Sequence, residues 1–423
     1  MSQADHRTAE LRRPGGAGGT GSGARAGTRL IGIDAARGLA LVGLIAVHIL
    51  PAEIDETGDP TVAFHLFYGN SAALFALLAG VGLALSSGGR SPHQGRRMVG
   101  DRLGLAVRAA LIGTIALIAA AIMPNGGSEP GILLYYSVFF LLAIPFLHLG
   151  PQSLFLSAAL FGLAGPLLLQ YVGPLLPESS ADNHTLVNLV GEPAGTASEL
   201  LLTGIYPALP YMCFILAGLG IGRLDLRNTS VVARIAGIGA ALAVAATGIS
   251  SILLYGLGGY ERLLETPGMT EDLLYEAIAF GPDTVPNDSA WWFALVTPHT
   301  NMPLAIADSL GLALLVTALF ILAGRRFVRW LTPLAVTGTM TLTLYTTHLL
   351  VLSTEIHEGL PAVWFVVHLA VAVAFAMCWS HWRGQGPLER PVTAIVRRSR
   401  QLVDPPSPGD STGPMAKRDA MSR

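Results

Sequence analysis

Ten apolar stretches, each about 17–25 residues long, recur along this chain, and the polar segments between them alternate in the sign of their charge. A hydrocarbon core roughly 30 Å thick takes about 20 apolar helical residues to cross, so the pattern predicts a polytopic bundle of membrane helices. The stretches run over residues 30–50, 63–86, 104–123, 131–148, 152–173, 203–222, 231–255, 303–323, 331–354 and 361–381. A transmembrane barrel would show segments of about ten residues alternating polar and apolar, and runs such as AALIGTIALIAAAIM do not alternate. Only 13% of the residues are charged, against roughly 25% in an average soluble domain, which excludes an ordinary soluble fold. The expected fold class is all-α.

The loop charges orient the bundle. Segments after even-numbered stretches carry arginine: Arg90, Arg96, Arg97 and Arg102, then Arg223 and Arg227, then Arg325, Arg326 and Arg329, then a run from Arg383 to Arg400. Segments after odd-numbered stretches carry acid: Glu53 to Asp59, then Glu129, then Glu178 to Glu199, then Glu261 to Asp288, then Glu355 and Glu358, with Arg262 as the exception. Because basic loops stay on the cytoplasmic side, this alternation predicts ten spans in a cell membrane with both termini inside.

Residues 1–28, centred on GGAGGTGSGARAG, are too polar and Gly-rich to offset chain entropy and are expected to be a disordered cytoplasmic tail. Residues 29–385 form the membrane domain, and 386–423 a second cytoplasmic tail, disordered from about 402. Cys213 and Cys378 lie inside apolar runs, so no disulfide framework is implied and both are expected in the core. Trp291 and Trp292 in the long outer loop 256–302 suit a water–lipid interface. No internal repeat is evident.

An ionisable side chain inside a span is costly, and each one marks a candidate site. In the first span, Arg37 and His48 lie about 20° apart on the helix wheel but roughly 16 Å apart along the axis, with Asp34 close to the same face. One helix thus addresses both halves of the membrane. Asp34 and Arg37 have the spacing of an i,i+3 ion pair, which leaves Arg37 able to bind phosphate. In the second span His65 shares a face with Gly69, Ala72, Ala76 and Ala79, small residues that allow close helix approach, so it is expected to aim into the bundle at the outer face. Asn70 lies on another side of that helix and is placed to orient a partner or ligand. His299 precedes the eighth span, and Asp308 lies about two turns inside it. His348 shares a face with Thr337 and Thr341, with Tyr345 one turn away, whereas His368 reads as a packing residue. No histidine pair has a metal-ligand spacing within a span, so no metal is expected, and no P-loop, nucleophile elbow or dinucleotide fingerprint is present.

The segments RLIGIDAARGLALVGLIAVH, SAALFALLAGVGLALSSG, LAGLGIGRLDL and PLAVTGTMTLTLYTTHLLVL resemble the transmembrane acyltransferases grouped with heparan-α-glucosaminide N-acetyltransferase, and in particular their bacterial YeiB-like relatives. The likeness covers most of residues 29–385 and is sharpest in the first two spans. It implies transfer of an acetyl or similar acyl group from cytosolic acetyl-CoA or another acyl-CoA to a sugar amine or hydroxyl on the far side of the membrane. It matches Asp34 and Arg37 to the acidic and basic pair of the family's first span, and His65 by position to the active histidine at the start of the next. The spacing from His65 to Gly80 departs from the family's, so His48 stands beside His65 as a catalytic candidate.

A base at the outer end and a phosphate-binding arginine at the inner end are what such a reaction needs. Asn70, His299, Asp308 and His348 are then candidate acceptor-binding residues. The partners expected are the lipid bilayer, acyl-CoA, a glycan or other cell-envelope acceptor and, as a homodimer, a second copy of the chain, with no nucleic acid. The competing class is a transporter or flippase for an amphipathic or lipid-linked substrate, with Asp308 and histidines as a proton relay; it predicts a broken span at the substrate site. A scaffold without chemistry is the third reading, and the polar first span argues against it.

Overall fold

A computed structural model describes residues 30–123, 131–179, 183–282, 285–356 and 359–404. The expected tail at 1–28, the tail beyond 404 and the loop acids Glu129, Asp182 and Glu358 lie outside the described residues. Among those described, regular structure is helical, with one isolated antiparallel bridge between Glu53 and Pro60. The helices are α1 (Ile31–Ile49), α2 (Val62–Phe67), α3 (Asn70–Ser86), α4 (Gly95–Ile122), α5 (Ile132–Ala143), α6 (Pro151–Tyr171), α7 (Leu186–Gly191), α8 (Pro193–Ser198), α9 (Ala208–Gly222) and α10 (Thr229–Ser251). They continue with α11 (Gly259–Leu264), α12 (Glu271–Ala279), α13 (Pro303–Arg326), α14 (Val328–Gly338), α15 (Thr341–Leu352), α16 (Pro361–Arg383) and α17 (Glu389–Val403).

Each of the ten apolar stretches is helical, but they are not ten equal rods. Among the described residues, seven segments are long and apolar enough to cross a membrane, and two more are pairs bent by 47° (Pro193–Thr203 with Ala208–Gly222) and 64° (α14 with α15). The remaining stretch, Ile132–Phe146, is a shorter apolar helix. The helices break where they do for local reasons. Gly69, at φ 68°, separates α2 from α3, and a side chain there would overlap Pro298. The π-helical turn Glu199–Thr203 ends at Gly204, and Pro207 precedes α9; proline donates no backbone hydrogen bond. Pro333 lies inside α14, and the carboxylate of Glu389 accepts from the Thr343 N–H at 2.9 Å and the Thr343 hydroxyl at 2.6 Å, capping the start of α15.

Small residues bring the central helices into backbone contact, which in lipid substitutes van der Waals packing for hydrophobic drive. A methyl group on Gly338 would overlap the Asp34 carbonyl, so α14 lies directly on the N-terminal end of α1. Gly80 and Gly218 join α3 to α9 in the same way, each against a carbonyl of the other helix.

Two expectations change. Trp292 is fully buried in a small core with Leu263, Leu274 and Leu295, its indole N–H donating to Asp288 at 3.1 Å, so the outer loop holds its own packed cluster; Trp330 and Trp382 are the exposed tryptophans. Cys213 is buried, but Cys378 is exposed because α16 lies at the edge of the bundle. Helix α17 runs to Val403, buries Val392 and Val396, and is tied to α4 by Arg96, which donates to the Val403 carbonyl at 2.9 Å.

Candidate functional site

At the N-terminal end of α1, Asp34 is buried and Arg37 pairs with it at 3.0 Å while donating to the Leu78 carbonyl of α3 at 3.2 Å. Arg108 of α4 lies within electrostatic reach of Arg37 and of Arg400 of α17. Arg400 has a carboxylate neighbour, Asp101, at 3.4 Å; among the described residues Arg108 has none. Three guanidinium groups thus converge where two carboxylates stand nearby, an arrangement suited to an anion with several negative oxygens. Arg223 is of another kind. It is buried, and its guanidinium donates to the carbonyls of Ala84, Gly89 and Leu147 and to the Ser87 hydroxyl, locking α3 to α9.

The C-terminal end of α1 carries a chain of imidazoles. His48 Nδ1 lies 3.0 Å from His348 Nε2, and His348 Nδ1 lies 3.2 Å from His368 Nε2. The three residues come from α1, α15 and α16, and His348 is fully buried between the other two. Each contact needs one proton. If His48 Nδ1 donates to His348, then His348 Nδ1 donates to His368, and His48 Nε2 is left as a bare acceptor. A proton arriving at His48 Nε2 reverses both bonds and leaves through His368, so the geometry is that of a proton wire. Tyr345 flanks two of the rings, and its hydroxyl accepts from the Ile132 N–H at 3.3 Å.

His299 completes this end. It lies within electrostatic reach of His48, makes a 3.1 Å contact from Nδ1 to the Ile205 carbonyl, and stacks edge-on against Tyr68 and Tyr206. Its loop is strained: His299 and Asn301 have φ of 63° and 54°, a conformation that non-glycine residues rarely hold outside special sites. Burial pushes the His299 imidazole down to about 4. His299 and Asn301 line a cavity of about 10 Å³ with Gly69, Tyr211 and Ser309, beside the break between α2 and α3.

The other expected residues separate. Asn70 accepts from the Ser309 hydroxyl at 3.0 Å and so ties α3 to α13 near that cavity. Asp308 faces α10, where it accepts from the exposed Thr247 hydroxyl at 3.1 Å, and does not join the histidines. His65 is exposed, with no hydrogen bond to its side chain among the described residues. The helix-wheel argument that aimed it into the bundle fails because Gly69 breaks the helix between His65 and the alanines. Sequence reasoning missed His368, Arg108 and Arg400. His368 has no spacing relation to His348, and Arg400 lay in a presumed tail; Arg108, an arginine inside an apolar run, was the one with a readable signal. Among the described residues, no group of three histidine, cysteine or acidic side chains is placed to hold a metal ion.

A helical bundle whose apolar segments are long enough to cross a bilayer, polar at two opposed ends of one central helix, defines a multi-pass membrane protein. The family model for heparan-alpha-glucosaminide N-acetyltransferase, catalytic, matches residues 29–257, more than half of the chain, and the chain belongs to that family. No curated protein matches it. The matched region contains Asp34, Arg37, His48, His65 and Arg108; His348, His368 and Arg400 lie beyond it.

Proposed function

We propose that this protein is an integral membrane acyltransferase that moves an acetyl or similar acyl group from cytosolic acyl-CoA to an amine or hydroxyl of a sugar or other cell-envelope acceptor at the outer face. In this reading residues 29–385 are the catalytic membrane domain, and both termini are cytoplasmic. The observation that carries it is the division of α1, with Arg37 beside Arg108 and Arg400 at one end and His48 at the head of an imidazole chain at the other.

The arginines hold the phosphates of the donor, and the pantetheine arm brings the thioester toward the outer half. The acceptor attacks the thioester carbonyl as His48 takes its proton. The new C–N or C–O bond forms, the C–S bond breaks, and the thiolate leaves as the CoA thiol after taking a proton. His348 and His368 carry the proton away from His48 and reset it. His65 is the second candidate for the base, supported by the family resemblance and by its exposed imidazole. Asn70 and His299 shape the acceptor side; Asp308 is set apart from it.

The test is purified protein in lipid nanodiscs with radiolabelled acetyl-CoA and membrane glycan extract. Label transfer that His48→Ala abolishes and His65→Ala spares supports the scheme; the reverse moves the base to His65. No binding of acyl-CoA overturns the acyltransferase reading. A transporter or flippase is the second reading, favoured by the helix breaks at Gly69, Gly204 and Thr339–Met340. It predicts substrate flux into proteoliposomes without acyl-CoA.

A further inference from the structure

A second polar cluster shares no residue with the histidine chain. His184, in the loop before α7, has a side chain 1% exposed, and its Nδ1 has no hydrogen-bond partner among the described residues. Its Nε2 stands 3.1 Å from Glu199 Oε2, and Glu199 Oε1 accepts from the Tyr135 hydroxyl at 3.3 Å. Glu199 opens the π-helical turn that precedes the Gly204 break, and such turns recur at functional sites.

His184 and Tyr135 line a cavity of about 20 Å³, room for one water-sized group. Its opposite wall is apolar: Ala116, Ala119, Ala120 and Met123 from the outer half of α4. Ala116 and Ala120 are half-buried, so this wall reaches the side of the bundle that a bilayer would cover. The cavity is apolar on the α4 side and polar where Tyr135, Asn183 and His184 line it. A buried imidazole with unused hydrogen-bonding capacity beside a carboxylate needs a donor-rich, positively charged group to satisfy both. An ammonium group meets that need; a carboxylate would be repelled by Glu199.

We propose that Glu199, His184 and Tyr135 bind the primary amine of a membrane-embedded amphiphile whose chain lies along the Ala116–Met123 face of α4. The ammonium donates to the Glu199 carboxylate and to the unpartnered His184 Nδ1. This site does not depend on the acyl-transfer scheme, although an acceptor amine entering from lipid would meet it.

The full chain in nanodiscs is photolabelled with a diazirine-bearing dodecylamine and with the matching dodecanoic acid. The amine should label the peptides that carry Ala116–Met123 or Gly131–Tyr135 at least tenfold more than the acid does. Glu199→Gln should lower amine labelling at least tenfold, and Ala120→Leu, which fills the apolar side without touching a polar group, should lower it likewise in protein with unchanged elution and melting. Equal labelling by acid and amine, or wild-type labelling in Ala120→Leu, overturns the proposal. Absence of acyl transfer with amine labelling intact leaves it standing and bears only on the enzymatic reading.

Discussion

His48 and His348 are joined nitrogen to nitrogen at 3.0 Å, with their rings nearly parallel at an interplanar angle of 6°, although 300 residues separate them in the chain. A contact of this kind cannot be broken at one end without losing the directed proton path, because His348 also holds His368.

His348→Gln should therefore impair turnover more than binding. Loss of a positioned acid–base group costs about 100-fold or more in rate. We expect acyl transfer to fall by about that factor while acyl-CoA affinity stays within about twofold of the wild type. Single-turnover label transfer and equilibrium binding of CoA, measured on the same preparation, check the split.

At the inner end, Arg37→Gln removes a guanidinium that faces both Asp34 and the arginine cluster. Charge-assisted hydrogen bonds contribute about 1.5–3 kcal/mol, so CoA affinity should drop roughly 10- to 100-fold. Arg108→Gln should act in the same direction. Dephospho-CoA, which lacks one phosphate, should lose less from these substitutions than CoA does; equal losses would count against phosphate recognition by this cluster.

Gly218→Ala tests the bundle rather than the chemistry. A methyl group at this position meets the Leu77 carbonyl, a backbone atom that cannot swing away. Overpacking costs typically about 1–3 kcal/mol, and thermal unfolding in detergent should move down by several degrees. An unchanged midpoint would mean that α3 and α9 separate more readily than their contact suggests.

The pH dependence of stability should carry the imprint of His299. Its imidazole is held down to about 4 by burial, below the roughly 6.5 of an unfolded histidine. Between those values the unfolded chain binds the extra proton, so stability falls as pH drops from about 6.5 toward 4 and levels off below. His299→Gln should flatten that segment of the curve; a slope identical to the wild type would rule out this contribution.

Glu389→Gln should loosen the junction between α14 and α15. The carboxylate caps Thr343 through both its N–H and its hydroxyl, and loss of such a cap costs about 1 kcal/mol. Faster amide exchange confined to residues at the start of α15 would report it.

Much of the architecture is written in one-dimensional terms. A stretch long enough to span hydrocarbon declares itself by length and composition, because an unsatisfied backbone in lipid leaves a helix as the available form. The Asp34–Arg37 pair was readable for a related reason: both residues belong to one helix turn, where spacing determines contact. Spacing ceased to be informative where the backbone stopped being regular. The Gly69 break turned His65 outward and detached it from the alanines that periodicity had placed on its face. Trp292 went into a core of its own because the outer loop folds on itself.

The two ends of the candidate site depended on tertiary structure in different measure. Arg37 and His48 are separated along α1 by the rise of a helix, which the sequence determines alone. That His48 meets His348, which meets His368, and that Arg108 comes within reach of both Arg37 and Arg400, required α15, α16, α4 and α17 to arrive at the right place and rotation. Those positions are set by glycine contacts such as Gly338 on Asp34 and by the bend at Thr339–Met340. Neither leaves a periodic trace, because the partner of a helix surface is chosen by shape in three dimensions and not by spacing along the chain.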